Sequence, residues 1–435
     1  MNIIIRLVDI YKPGSDVGLY LNENIDNMEI DFTYGNGILT LDFPSNATVD
    51  IFQAESKSKP YTFTDFKNEI AHIQFNPLFN NDKFLCIVND GYRNTPTPII
   101  LQWLSEIDAR FLNKADFMIA TGTHDAPTEK HYHKIFGDFY NQIQSRVKYH
   151  NAHDYDSLIK IGTDKFGEEV WINKAVMEYS SILIIGSVEP HYFAGVTGGR
   201  KSLFPGLCDI PTIERNHNMA ISLDAAPLKI IGNPVAEHLE SLLDLIDLSK
   251  IVSIQVIMNS EHEVVDCYCG SLGSSFEKAQ SIAKKLYSTK IIEKKYDIIL
   301  AEILPPLDGN LYQAQKALEH CQGAVKDNGD LVVISACKEG IGSKFFYELA
   351  GNWDRENNKP KDGKFRFGSH KLSRVNLMTK RINIYLYSEM NPKEVCQVFY
   401  EPLDNLQKFI YSRGMDCEKI NIGIVRDAGH LVLST

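Results

Sequence analysis

The sequence predicts an α/β protein with two domains. Its 435 residues exceed the usual size of a single domain. Short runs rich in isoleucine and valine alternate with amphipathic stretches, a pattern typical of parallel strands joined by helices. Polar loops follow several of these runs, as they do at the ligand-binding edge of an α/β sheet. We therefore expect two α/β domains with mixed or parallel sheets and an active-site cleft between them.

The amino-terminal eighty residues contain β-type runs, after which strands alternate with helices. The first runs are IIIRLVDI, GILTLDF and ATVDIF, separated by turn signals such as Asn36-Gly37 and Pro44-Ser45. Three apolar runs then predict parallel strands that end in polar loops, at residues 84–90, 117–122 and 182–188. The stretch WLSEIDARFL predicts a helix between the first two of them.

The second half of the chain predicts a hairpin, a helix and a further α/β unit. Residues 252–260 and 262–270 predict a hairpin about Glu261, and residues 274–288 an amphipathic helix. Later elements are predicted strands at 296–304, 330–337 and 381–388, a helix at 310–321 and a surface loop at 351–364. We place the boundary near 271–290, between a catalytic and cofactor-binding domain (1–280) and a domain (281–435) that closes the cleft. The last strands, INIGIV and HLVLST, are able to pair with either domain.

Composition and charge narrow the function classes. A net charge of −11 and a pI near 5.7 argue against a nucleic-acid or anionic-membrane surface, since both need a broad basic field. The eight cysteines lack metal-type spacing and are typical of reduced thiols. The amino-terminal apolar run suits a strand better than a secretory signal, and no run approaches membrane-spanning length. We expect a cytoplasmic protein that acts on a small molecule.

Residues 189–217 contain more glycine, histidine and basic side chains than a hydrophobic core needs; their sequence is EPHYFAGVTGGRKSLFPGLCDIPTIERNH. At the end of a strand, Gly198 and Gly199 would let the backbone approach an anion such as a phosphate closely. His191, Lys201 and His217 are compatible with a metal site, but lysine is a poor ligand and no carboxylate has zinc-type spacing. A plain zinc site is therefore disfavoured, and capping or surface histidines remain an alternative.

Two further loops and one helix carry candidate residues. Arg93 is suited to bind a carboxylate or phosphate, and Asp90 is suited to accept hydrogen bonds from ribose hydroxyls. A loop in which the aspartate caps a turn and the arginine lies at the surface explains the same residues equally well. His124, in Thr-Gly-Thr-His, is suited to proton transfer near neutral pH. Gln313 and Lys316 are predicted to lie on the same face of a helix. They are candidates to contact a ligand, and the alternative is that both are solvated surface residues. The other nearby histidines are expected to be solvated: His131, His133, His150 and His153.

Together these segments resemble the lactate racemase family. The resemblance rests on EPHYFAG, on GGRK with a downstream NH, on TGTH, on DGYRNTPTP and on NLYQAQK, with GNPVAEHLE and SACKEGIGS in family order. Members of this family use a nickel-pincer nucleotide, a pyridinium mononucleotide whose two sulfur arms and a ring carbon hold nickel. The resemblance implies that Lys201 tethers this cofactor and that His217 supplies the fourth nickel ligand.

The resemblance also assigns the remaining roles. It implies that His124 and His191 are the two bases and that Arg93 binds the substrate carboxylate. The implied cofactor contacts are Asp90, Gly198, Gly199, Gln313 and Lys316. The implied activity is that of a racemase or epimerase of a lactate-like or sugar 2-hydroxy acid, by hydride transfer through a planar keto acid. The implied partners are this substrate and the enzymes that make the cofactor.

The chain departs from the family pattern beside the predicted substrate. Tyr92 and Asn94 flank Arg93 where a Thr-Arg-Pro triplet is common, and Asp125-Ala126 follow His124 where Arg-Pro is frequent. Asp125 would repel an acidic tail, which favours a neutral or hydroxylated side chain on the substrate. Two alternatives of other classes are a cofactor carrier without turnover and a zinc hydrolase.

Overall fold

A computed structural model shows that the chain folds into two compact units. The structure describes residues 4–8, 28–54, 60–71, 83–259, 262–291, 295–366, 368–415 and 417–434. One unit comprises Ser56–Lys284 and is called the central unit. The other, called the terminal unit, is built from both ends of the chain, Met1–Glu55 and Lys285–Thr435.

The described residues form strands and helices in alternation. The strands are β1 Ile4–Val8, β2 Met28–Tyr34, β3 Gly37–Phe43, β4 Ala47–Phe52, β5 Phe84–Asn89, β6 Ala115–Ala120, β7 Val147–Tyr149, β8 Leu158–Thr163, β9 Glu169–Asn173, β10 Ile182–Ser187, β11 Pro190–His191, β12 Gly195–Val196, β13 Ile251–Met258, β14 Val264–Ser271, β15 Ser288–Lys290, β16 Tyr296–Glu302, β17 Val325–Ile334, β18 Trp353–Asp354, β19 Lys359–Pro360, β20 Asn383–Tyr387, β21 Glu401–Leu403, β22 Ile420–Val425 and β23 Val432–Ser434. The α-helices are α1 Phe63–Ala71, α2 Thr97–Ile107, α3 Phe111–Lys114, α4 Glu129–Phe136, α5 Tyr140–Ile143, α6 Ala175–Glu178, α7 Ile210–Asn218, α8 Pro234–Leu242, α9 Leu272–Tyr287, α10 Leu311–Ala314, α11 Lys316–Cys321, α12 Lys344–Gly351, α13 Ser369–Met378, α14 Pro392–Gln397 and α15 Leu406–Met415.

The central unit is organised around a six-stranded sheet in the order β14-β13-β10-β5-β6-β7. All neighbouring strands are parallel except β14, which pairs antiparallel with β13. Strands β5 and β10 are buried along almost their whole length, as expected when both faces of a parallel sheet are covered. The prediction of three parallel strands is confirmed. The carboxyl ends of β10, β5 and β6 therefore lie side by side at one edge of the sheet.

The predicted hairpin and helices are present with shifted limits. Strands β13 and β14 pair antiparallel, while the turn about Glu261 lies outside the described residues. The helix predicted at WLSEIDARFL begins earlier, because Pro98 occupies its first turn, where a missing N–H costs nothing. It also ends at Ile107, because Asp108 adopts an extended conformation. Among the described residues, no helix combines the length and apolar character needed to cross a bilayer.

The terminal unit contains a seven-stranded, wholly parallel sheet in the order β1-β4-β22-β16-β17-β20-β21. Strand β22, from the end of the chain, lies between β4 and β16. The two α/β units with a mixed and a parallel sheet confirm the predicted fold class. The small strand β23 also belongs to this unit, where it pairs with β15.

The division of the chain differs from the predicted one at its amino-terminal end. The predicted domain 1–280 is not one unit, because its described residues 4–8 and 28–54 belong to the unit that contains Lys285–Thr435. Strand β4 is nearly fully buried and hydrogen-bonds to β22 along Ala47–Phe52, which gives a central strand the two neighbours it needs. The other limit, Lys284, falls inside the predicted interval of 271–290.

A buried ion pair joins two helices of the terminal unit. Nη2 of Arg374 in α13 donates to Oε2 of Glu319 in α11 at 2.6 Å. Nε of Arg374 donates to the other carboxylate oxygen, so the pair is bidentate. The two side chains are only 2% and 3% exposed. Replacing Glu319 would remove the carboxylate that both nitrogens of the buried guanidinium contact.

We predict that Glu319→Ala lowers the free energy of unfolding by about 3–5 kcal/mol, because Arg374 keeps its charge inside the unit. Urea denaturation at neutral pH measures this loss. The exposed pair Arg366–Asp362 is the matched control, and Asp362→Ala should change stability little because water screens that pair. Equal effects of the two substitutions would contradict the prediction.

Candidate active site

The loops that follow β10, β5 and β6 carry the predicted site residues of the central unit except His217, which lies in α7. Asp90 and Arg93 follow β5, and His124 follows β6. His191 lies on β11, immediately after β10, and Lys201 lies in a short 3-10 helix at Gly199–Ser202. The common edge of the parallel strands thus gathers residues that are more than one hundred positions apart in the chain.

Asp90 and His124 form a hydrogen-bonded pair. Nδ1 of His124 is bonded to Oδ2 of Asp90, which is 7% exposed. Burial raises the pKa of the Asp90 carboxyl, but the bond from His124 and the charges of His124 and Arg93 outweigh it, so the pKa lies below its usual value. Asp90 is therefore ionised near neutral pH. The ribose contact predicted for Asp90 stays a prediction, and the contact that the structure gives it is with the candidate base.

The Arg93 loop is held from the side of α4. Lys134 in α4 donates from Nζ to the carbonyl oxygen of Gly91 at 2.8 Å. Gly91 is required, since a Cβ there would lie 2.8 Å from the ring of His131. The ring of Tyr92, where the family pattern has threonine, lies 4.7 Å from the His124 ring and 5.0 Å from the His131 ring, centroid to centroid. Tyr92 therefore forms an aromatic wall beside His124.

Phe193 brings together three of the predicted residues. Its ring centroid lies 4.5 Å from that of His191 and 5.0 Å from that of His217, both in edge-to-face geometry. Nζ of Lys201 lies 6.0 Å from the same centroid. The side chain of Asn233, which caps α8, donates to the carbonyl oxygen of Phe193 at 2.9 Å and fixes this segment to the helix.

Lys201 has the electrostatics of a reactive amine. Burial lowers the pKa of Lys201 to about 7, and the positive charges of Arg93 and Arg200 act in the same direction. A large share of the amine is consequently unprotonated at neutral pH, which is the form that attacks an acyl group. The side chain nevertheless remains partly exposed. Lys201 thus combines a lowered pKa with partial exposure of the residue.

Gly198 and Gly199 have positive φ angles of 75° and 51°, which favour glycine. A Cβ at Gly198 would lie 2.7 Å from Oε1 of Gln255, and one at Gly199 would lie 2.4 Å from the ring of Phe276. Close packing within the unit is thus enough to require both glycines. Their predicted contact with a cofactor stays a prediction.

His217 has the hydrogen bonding of a metal-ligating histidine. Its Nδ1 lies 2.9 Å from the carbonyl oxygen of Ile213. A carbonyl oxygen only accepts, so Nδ1 carries the proton and the Nε2 lone pair is directed elsewhere, the arrangement usual at metal sites. Among the described residues, no group of three or more His, Cys, Asp or Glu side chains is arranged to hold a metal. A metal here would need most of its ligands from a cofactor.

Gln313 and Lys316 lie in the terminal unit and are partly buried. The predicted single helix is split at Gln315 into α10 and α11. Next to them is Lys371, whose Nζ lies 3.3 Å from the ring centroid of Tyr312 and donates to the carbonyl oxygen of Tyr312 at 2.8 Å. Burial, and then the charge of Lys316, lowers the pKa of Lys371 well below its usual value. The cleft and the cofactor contacts of Gln313 and Lys316 stay predictions.

Sequence reasoning missed several residues and misjudged one. No local sequence pattern marked Phe193 or Lys371 as a candidate, because their contacts join segments that are distant in the chain. A local pattern did mark Asn233, since an asparagine before a proline is typical of the start of a helix. His150 was expected to be solvated, but it is 1% exposed and its Nε2 lies 2.8 Å from the carbonyl oxygen of Cys208. That hydrogen bond is what allows the ring to be buried.

We predict that acylation of Lys201 by an amine-reactive reagent rises from pH 5 to about pH 7 and then levels off, because its lowered pKa leaves the amine neutral above that point. An ordinary lysine, with a pKa near 10.4, continues to gain reactivity toward pH 10. Peptide mass spectrometry after brief labelling measures both in one sample, and Lys201→Arg identifies the peptide. A Lys201 profile that still rises above pH 9 would contradict the prediction.

Comparisons with known proteins identify the family of the chain. The model of the lactate racemase N-terminal domain matches residues 34–227, and that of the lactate racemase C-terminal domain matches residues 291–362. Together they span more than half of the chain. Lactate racemase from Thermoanaerobacterium thermosaccharolyticum is 26% identical over 347 residues, 77% of this chain and 79% of that protein. Lactate racemase from Lactiplantibacillus plantarum is 28% identical over 278 residues, 62% of this chain and 63% of that protein.

Solved structures share the fold. The lactate racemase apoprotein from T. thermosaccharolyticum has a TM-score of 0.80 at 21% identity, covering 94% of this chain and all of that one. A protein from Thermotoga maritima has a TM-score of 0.67 at 17% identity, covering 87% of this chain and 99% of the other. The predicted site residues in both units fall within the two matched domains. The chain belongs to the lactate racemase family and is an isomerase of the racemase class.

Proposed function

We propose that the protein interconverts the two configurations at C2 of a 2-hydroxy carboxylic acid, using a nickel-pincer nucleotide tethered to Lys201. The observation that carries this proposal is the grouping of Lys201, His191 and His217 around Phe193. The hydrogen-bonded pair Asp90–His124 supports it further. Lactate is one candidate substrate, because the two curated relatives are named lactate racemase.

The side chains fit the proposed cofactor. Lys201 offers a partly neutral amine for a covalent link, and His217 offers an Nε2 lone pair for nickel. His217 would be a sufficient protein ligand if the cofactor supplied the others, and a mixed set of nitrogen and sulfur ligands suits nickel(II). When bound, the group would accept hydride from C2 and return it.

The protein residues would then handle protons and position. The C2 proton of a 2-hydroxy acid is weakly acidic next to a carboxylate, so removal of hydride is the easier route. Nε2 of His124 would take the hydroxyl proton, and the Asp90 carboxylate would stabilise the resulting imidazolium. His191 would serve the opposite configuration, and Arg93 would anchor the substrate carboxylate. The planar keto acid so formed presents either face to the returning hydride.

A polar cavity beside His124 supports a substrate with a hydroxylated side chain. It has a volume of about 190 Å³ and lies between the loops that follow β6 and β7. Asp125, Tyr149 and His153 are among its lining residues and offer hydrogen bonds to hydroxyl groups. The methyl group of lactate would use none of them. We therefore propose sugar-type 2-hydroxy acids beside lactate as the substrates to assay first.

The two alternatives are less well supported. A cofactor carrier would not need the Asp90–His124 pair, and a zinc hydrolase would need a ligand group that is not found among the described residues. Retention of C2 deuterium during interconversion distinguishes an enzyme from a carrier. Stoichiometric zinc with hydrolysis and no epimerisation would favour the hydrolase instead.

We predict that protein produced together with the cofactor-making enzymes contains nickel and an added covalent mass on Lys201. Lys201→Ala should lose the covalent mass, because the tether is absent. His217→Ala should keep the mass and lose most of its nickel, because the metal loses its only protein ligand. Intact-mass spectrometry and metal analysis measure both quantities. Wild-type protein without nickel and without added mass would contradict the cofactor proposal.

We predict that His124→Ala and His191→Ala each slow interconversion in both directions by about 10²–10⁴-fold, because each turnover uses both histidines. The assay follows each enantiomer of lactate and each epimer of a sugar acid by chiral chromatography. Exposed His133 serves as the control, and His133→Ala should keep turnover of both substrates. Unchanged turnover in either site variant with a full nickel content would rule out that histidine.

A further inference from the structure

We infer that His124 and His191 are held in opposite tautomers, so that the resting protein is asymmetric toward the two configurations of its substrate. The kinetic consequence of this inference rests on the proposed function. The tautomers themselves do not depend on it. The tautomers follow from the groups that face Nδ1 of each ring. Nδ1 of His124 faces a carboxylate, and Nδ1 of His191 faces backbone N–H groups.

The His124 tautomer follows from its bond to Asp90. The pKa of Asp90 is lowered, so this carboxylate is charged at neutral pH and can only accept a hydrogen bond. Nδ1 of His124, which is bonded to it, must therefore carry the proton. In the neutral ring, Nε2 then holds the lone pair. His124 consequently starts the reaction as a proton acceptor at Nε2.

The His191 tautomer follows from the ribbon of β11 and β12. The backbone N–H of Ala194 donates to Nδ1 of His191 at 3.2 Å, and that of Phe193 does so at 3.5 Å. A backbone N–H can only donate, so Nδ1 must be without a proton. The proton of the neutral ring is then on Nε2. His191, which is 9% exposed, consequently starts the reaction as a hydrogen-bond donor at Nε2.

The chemical consequence concerns the substrate hydroxyl. A hydroxyl that faces His124 transfers its proton directly to Nε2, giving an imidazolium opposite the Asp90 carboxylate. A hydroxyl that faces His191 meets a nitrogen that already carries a proton. His191 has to lose that proton to water and take one from water at Nδ1 before it accepts another at Nε2, which breaks the bond from Ala194. This tautomer change precedes the reaction of the configuration that faces His191 and, by microscopic reversibility, follows the reaction of the configuration that faces His124.

The kinetic consequence is constrained by thermodynamics. The two configurations of lactate are enantiomers of equal free energy, so for lactate kcat/KM must be the same in both directions. Because the tautomer change precedes the chemistry in one direction and follows it in the other, it appears as unequal kcat values, matched by unequal KM values in the same ratio. We expect the direction that begins at His124 to have the larger kcat and the larger KM.

The tautomers are tested on ¹⁵N-labelled protein without cofactor, by long-range proton–nitrogen NMR of the histidine rings at neutral pH. We expect His124 to be protonated at Nδ1 and His191 at Nε2, with exposed His153 as a reference for a solvated ring. Spectra of His124→Gln and His191→Gln assign the two signals. The same tautomer in both rings, or the reverse assignment, would overturn the inference whatever the activity of the protein.

Glutamine variants test the roles on cofactor-loaded protein. The glutamine amide reproduces an Nε2–H donor, so His191→Gln should be about tenfold more active than His191→Ala, the worth of one hydrogen bond. Glutamine provides no base, so His124→Gln should be no better than His124→Ala. The reverse pattern, with full nickel content in all four variants, would overturn the asymmetry while leaving the proposed function intact. Failure of wild-type protein to interconvert any tested acid would instead overturn the proposed function.

Discussion

The parallel pairing of β6, β5 and β10 is the constraint on which the site of the central unit depends. Parallel strands direct their carboxyl ends to one edge, so the loops after them must share that edge. The strands are apolar on both faces, and burial fixes their register because a slip would displace every buried side chain. The loops at this edge are consequently free to carry polar residues. The sheet therefore fixes where the loops lie, and the loops carry the candidate functional side chains.

Arg93 links the electrostatics of two loops. Its positive charge lowers the pKa of both Asp90 and Lys201. The same charge therefore has opposite consequences, since it keeps the carboxyl charged and helps to keep the amine neutral. The carboxylate needs its charge to orient His124, and the amine needs its neutrality to attack an acyl group. Loss of Arg93 would disturb both groups before any effect on substrate binding.

The sequence predicts the local features well and the distant pairings poorly. Apolar runs that end in polar residues were enough to locate β5, β6 and β10, because burial and turn chemistry are local signals. The pairing of β4 with β22 was not predictable, because its partners are about 370 positions apart and both read as ordinary buried strands. The amino-terminal segment was therefore assigned to the wrong unit.

The same limit applies to the candidate site. His124, His191, Lys201 and His217 were singled out by residue type and by resemblance to a family. Their partners were not, because the bond of His124 to Asp90 and the contacts of Phe193 depend on the folded chain. The bond of His124 to Asp90 and the bonds from the backbone N–H groups of Phe193 and Ala194 to His191 are the basis for the proton position that we infer in each ring. The family resemblance therefore selects the candidate residues, and the hydrogen bonds add the proposed tautomers.

We propose that a nickel nucleotide binds to Lys201 and His217 near Phe193. The most direct measurement is anomalous diffraction at the nickel edge from crystals of the cofactor-loaded protein. We predict one strong nickel peak within bonding distance of Nε2 of His217, with ligand density continuous with Nζ of Lys201. A nickel peak bound elsewhere on the chain, or a Lys201 side chain without attached density in loaded protein, would contradict the claim.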